Sequence, residues 1–369
     1  MDFFLLLVGG GALFYVGLLL YLANMQDVAR QRLAQQPEPA AQVAIAMQQR
    51  ATLVRWMSAG IAAMVFVYGL LVLQIAAVST STELLSELEL EMPPIDQTGA
   101  LINFIIALVF AVFSLRVLLS ETTRQSIRRR LGMNDIYDPE SSVHNVAIVL
   151  ALAFLSVSIG QLIVSGGVAG MAQDIEMGGI STGLLVFQTL LLIALAFLGV
   201  GMAIRRDMTG SLARLGLRIP TSQDVIWGVG VGVSLYVLLL ILVTLWAAFV
   251  PPEQLEQQSA ASEQIAQIFN TIPLALLISA SAAISEEILF RGALQPVFGL
   301  PLSSVFFALV HMQYALTPAT IIIFIVSLGL GWLRQRQSTT AAIIAHFVYN
   351  FVQLLLAILA ASIIGGGQP

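Results

Sequence analysis

The chain alternates long apolar runs with short polar segments. About 20 apolar residues are needed to cross a hydrocarbon core about 30 Å thick. Runs of that kind fall at roughly 3–24, 56–79, 100–120, 144–166, 182–204, 225–250, 272–291, 301–315, 318–334 and 339–363. Backbone polar groups in lipid must be satisfied within the spanning element, which favours helices here. The pattern therefore predicts an all-α polytopic membrane bundle of about ten transmembrane helices. The first run is too long for a signal-peptide core and lacks a positive flank, so it is expected to be a retained helix. The eighth run is short and lies between Pro301 and Pro318, a pattern that also fits a re-entrant segment.

Charge supports the count. Arg30, Arg32, Arg50 and Arg55 lie between the first two runs; Arg124 and Arg128 to Arg130 follow the third; Arg205, Arg206, Arg214 and Arg218 follow the fifth; Arg334 and Arg336 close the ninth. The alternate segments are acidic, with Glu83, Glu87, Glu89, Glu91 and Asp96, then Asp174 and Glu176, then Glu253, Glu256 and Glu263. Every Arg-bearing segment falls on one side of a ten-span chain, which the positive-inside rule makes cytoplasmic. Both termini are then expected outside, in a multi-pass protein of a prokaryotic plasma (inner) membrane. The Arg clusters read as topology signals, with lipid headgroup binding by Arg128 to Arg130 the alternative, and Arg116 is expected to snorkel. Residues 252–270 are rich in Gln and Ser and would suit a short surface helix.

Composition agrees: 58% of the 369 residues are hydrophobic and 10% charged, against about 25% charged in soluble domains. Cysteine is absent, which excludes disulfides and thiolate metal sites. All 16 basic residues are Arg, which excludes a lysine nucleophile.

The chemistry is concentrated in the last four runs. Glu286, Glu287 and Arg291 stand within six positions of an apolar stretch. Each ionisable residue at membrane depth costs about 2.5–3.5 kcal/mol on insertion scales, so the group reads as a functional site. Glu287 and Arg291 are spaced i,i+4, as are Phe307 and His311, and His346 and Asn350, so each pair shares a helix face. At 1.5 Å rise per residue, Glu286 lies about 20 Å in from Pro273, His311 about 15 Å in from Pro301, and His346 about 10 Å in from residue 339. Three helices of alternating direction thus bring Glu, His, His and Asn into one slab in the cytoplasmic half. His144, at the mouth of the fourth run, reads as interfacial.

Such a set can activate water with a carboxylate and a histidine, and stabilise an oxyanion with donors on one helix face. Two His and a Glu would also suit zinc with one open position, although H-E-x-x-H is missing. Intramembrane Glu, His and Arg also serve proton relays in transporters. A non-catalytic binding or immunity protein is a further alternative. No Asp lies in the last four runs, so a Ser–His–Asp arrangement is excluded. Gly228, Gly230 and Gly232 lie inside an apolar run and read as close helix packing rather than a nucleotide loop. Trp56, Trp227 and Trp332 fit an aromatic belt.

The motifs Glu286-Glu287-Ile-Leu-Phe-Arg291, Phe307-Ala-Leu-Val-His311 and His346-Phe-Val-Tyr-Asn350, in that order, resemble those of the type II CAAX-prenyl-endopeptidase family, the CPBP intramembrane proteases. The resemblance covers about 220–363, dividing the chain into an N-terminal membrane region, 1–219, and a protease core, 220–369. It implies a cytosol-facing endopeptidase acting on peptides or membrane proteins. Glu286 would be the general base with His311, His346 and Asn350 the oxyanion hole, and Glu287 with Arg291 the supporting pair. It leaves zinc dependence open, with direct glutamate catalysis the expected form. Membrane lipids are expected partners and nucleic acid is not. The first five spans carry no legible function.

Overall fold

The computed structural model describes residues 3–35, 41–81, 86, 95–167, 170, 182–250, 271–311 and 318–365. The suggested surface helix at 252–270 and most of the acidic loop residues lie outside them. The described chain is helical, with no named strand, and eight helices are long and apolar enough to cross a membrane. It is an integral, multi-pass membrane protein.

The helices are α1 (Phe3–Leu33), α2 (Ala41–Ser79), α3 (Gln97–Leu119), α4 (Glu121–Arg130), α5 (Ser142–Val164), α6 (Thr182–Gly199), α7 (Met208–Leu215), α8 (Ser222–Ala247), α9 (Ile272–Glu287), α10 (Gln295–Val310), α11 (Pro318–Arg336) and α12 (Thr339–Gly365). They form two compact units, residues 1–166 with 197–211, and residues 167–196 with 212–369.

In the first unit α2 packs on α3 and α5. Val72, Ala76, Ile95 and Ala100 form a buried cluster there. The Arg-bearing segments are more helical than the apolar pattern implied. Arg50 and Arg55 extend α2, and Arg128 to Arg130 end the short helix α4, where cations favour the C-terminal dipole.

In the second unit α8, α11 and α12 enclose Leu235, Ile322, Val326, Leu330, Leu333, Ala341 and Ala345. Their close approach comes from glycine. A Cβ at Gly228 would lie 2.7 Å from the Ile344 side chain, and one at Gly232 would lie 2.6 Å from the Ala345 carbonyl, while Gly230 faces open space. Gly232→Val should therefore lower stability by about 1–3 kcal/mol through overpacking, whereas Gly230→Ala should not destabilise. Thermal unfolding of the purified protein in detergent separates the two. Trp227 and Trp332 meet edge to face at 6.2 Å.

The largest departure from the apolar pattern lies at residues 272–310. A span ending at Arg291 and a second starting at Pro301 were expected, with a loop between. The first helix instead continues past Arg291 as far as the break at Gly299, and a second follows directly to Val310. Residues Ile288–Leu294 form a π-helical segment, closed by the Gln295 N–H donating to the Phe290 carbonyl. Pro296 follows and has no N–H to give. The Gly292 carbonyl one turn back instead accepts from Arg214 Nη1 at 2.9 Å. The reversal occurs at Gly299, with φ 77° and ψ 166°, a region nearly restricted to glycine.

Candidate active site

Both carboxylates come from the end of α9, but they face different partners. Glu287 is fully buried. Its Oε2 lies 3.2 Å from Arg291 Nε, and its Oε1 lies 2.9 Å from Nδ1 of His346 on α12. One carboxylate thus joins its own helix to a residue 59 positions away. A carboxylate only accepts, so Nδ1 of His346 carries the proton it donates. Glu286 is partly accessible and points to α10, where its Oε2 lies 3.5 Å from His311 Nε2.

Arg291 sits in the π-helical segment and is fully buried. A charge this deep needs partners on several sides. Besides Glu287, Nη2 donates to Ser327 Oγ at 3.1 Å, on α11. The guanidinium also lies over the Phe307 ring, 4.6 Å from its centroid, a cation–π geometry.

Phe307 is the hub of the site. Its ring meets Phe290 edge on at 5.0 Å, His346 at 6.0 Å and His311 at 4.4 Å. Helix α10 ends at Val310, and His311 takes non-helical backbone angles. The last carbonyls of a helix lack intrahelical donors, and the Phe307 carbonyl accepts instead from His311 Nδ1 at 2.7 Å. That bond fixes the ring so that Nε2 turns to Glu286. Asn350, one turn beyond His346, is half-buried.

Glu286 with His311, and Glu287 with Arg291 and His346, are therefore brought together by three segments: α9 with its π-helical extension, α10 and α12. Among the described residues Asn350 makes no side-chain hydrogen bond or ion pair. Ser327 went unread in the sequence because a small polar residue in an apolar helix is ordinarily a packing residue. The Phe307 ring was placed by its spacing alone. Two metal donors, Glu286 Oε2 and His311 Nε2, face each other. Among the described residues no group of three His, Cys, Asp or Glu side chains is gathered to hold an ion.

Residues 268–352 match the model of the family described as type II CAAX prenyl endopeptidase Rce1-like. The matched segment contains all six polar residues of the site, so this part of the chain is similar to that endopeptidase family. No curated protein and no solved structure matches the chain significantly.

Proposed function

We propose that the protein hydrolyses peptide bonds of membrane-associated substrates at Glu286 and His311, without a catalytic metal, at a site open to the cytosol of a prokaryotic cell. The observation that carries this reading is the geometry of that pair: a carboxylate and an imidazole Nε2 at 3.5 Å, both partly accessible. Because His311 Nδ1 donates to Phe307, the neutral ring offers Nε2 as an acceptor. A water seated against both groups gives its proton to Glu286 and attacks the scissile carbonyl. Glu286 then passes that proton to the leaving amine as the C–N bond breaks.

His346 has a different duty. Its Nδ1 proton is committed to Glu287, so Nε2 can donate to an oxyanion only from the doubly protonated ring. Glu287, itself supported by Arg291, holds the ring in place from its Nδ1 side. The Asn350 amide is a neutral second donor on the same helix face. Among the described residues two donors, Glu286 Oε2 and His311 Nε2, face each other, where a catalytic zinc takes three protein ligands.

Reconstituted protein incubated with a peptide library in ¹⁸O-labelled water tests both parts by mass spectrometry. New C-termini carrying the label are expected, with a loss of about 10²–10⁴-fold in His311→Ala and no loss on chelation. Absence of labelled products from the wild type removes the reading. Activity that falls on chelation and returns with one equivalent of zinc replaces the metal-free mechanism.

A further inference from the structure

A second polar site lies in the first unit, apart from the protease motifs. The last turns of α1 and the turn after α6 border an open cavity of about 510 Å³. Arg32, Arg205 and Arg206 line it together with Gln31 and Gln35, and among the described residues no carboxylate does. The turn is sharply built. Gly201 has φ 83°, and a Cβ there would lie 2.5 Å from Asn24 Oδ1. Ala203 takes the left-handed φ of 63°, a conformation a residue with a side chain adopts at a cost. This backbone turns Arg205 and Arg206 toward α1.

The nearby acids are already committed. Asp27 is buried and accepts from Ser141 Oγ at 2.5 Å and the Ser142 N–H at 2.7 Å, capping α5. It stands 3.8 Å from Arg205, a distance of partial neutralisation. Asp207 accepts from the Gly210 N–H at the start of α7. Arg206 Nη1 donates to the Val200 carbonyl, and among the described residues no carboxylate forms an ion pair with it. Burial and the neighbouring Arg205 charge both push the Arg206 guanidinium below its ordinary value. Arg32 has no acidic partner among the described residues.

We infer that the cavity between the end of α1 and residues 203–206 binds the phosphate group of an anionic phospholipid. Arginine suits a phosphate because its planar fork donates in pairs, and the Gln amides add neutral donors. Depth decides for a lipid over a soluble ion: the cavity lies at the C-terminal end of the apolar run of α1, where headgroups sit. The positive-inside pattern places Arg32, Arg205 and Arg206 on one membrane side, the condition for sharing one ligand.

The test is native mass spectrometry of the full-length protein in detergent, titrated with phosphatidylglycerol or with phosphatidylcholine. Arg32→Gln and Arg32→Gln/Arg206→Gln leave the Asp27–Arg205 contact in place, and their thermal unfolding confirms folding. Affinity for phosphatidylglycerol is expected to fall about fivefold per arginine removed, with phosphatidylcholine unaffected. Arg129→Gln/Arg130→Gln, on exposed positions of α4, should leave it unchanged. Equal loss in that control, or no loss in the cavity variants, overturns the site. Binding of inorganic phosphate that is lost in the cavity variants, with no phosphatidylglycerol bound to the wild type, overturns the lipid and assigns the cavity to a soluble phosphate.

Discussion

Glu286→Gln should reduce peptide hydrolysis by about 10²–10⁴-fold while leaving the protein folded and inserted. The change keeps size and shape and removes only the ability to take a proton. Its structural cost is expected to be small, because Glu286 has no role in the buried network: its near neighbour is His311, and it keeps about a fifth of its side-chain surface. Glu286→Asp should fall between wild type and Gln, because the shorter chain keeps the base and withdraws it from the water. Misplacement by about 1 Å alone costs on the order of 10²-fold. Initial rates on reconstituted protein, read beside thermal unfolding, make the comparison. A Glu286→Gln protein with more than a tenth of wild-type activity would take the base role away from this residue.

The membrane spans were legible because they rest on a one-dimensional quantity. Apolar run length gives a span. The pairing of Glu287 with Arg291 was legible for the same reason, being one helical turn. Three features were not. The helix continues past Arg291 because the π-helical segment and Arg214 absorb the missing Pro296 donor, and hydropathy carries no information on backbone hydrogen bonds. A buried Arg291 inside the helix reads, by hydropathy, as the end of an apolar run. Glu287 also meets His346 across 59 positions, a contact no local spacing contains, so its second partner was missed.

The contact between Glu287 and His346 changes what the supporting pair does, and a mutant cycle separates the two duties. Arg291→Met leaves Glu287 with His346 alone, and Glu287→Gln leaves Arg291 buried with only Ser327 and the Phe307 ring. Removing one partner of a buried pair costs about 3–5 kcal/mol, whereas replacing both is often near neutral. The double variant should therefore unfold at a higher temperature than either single one, with a coupling of about 0.5–3 kcal/mol. Activity should not follow. Without the carboxylate, the His346 ring loses the acceptor that orients it, and the oxyanion loses a positioned donor whether or not the core is repaired. Recovered stability with activity still depressed separates a positioning and electrostatic role from a merely structural one. Activity restored together with stability would reduce Glu287 and Arg291 to scaffolding, and the oxyanion would then rest on Asn350 and groups outside this network.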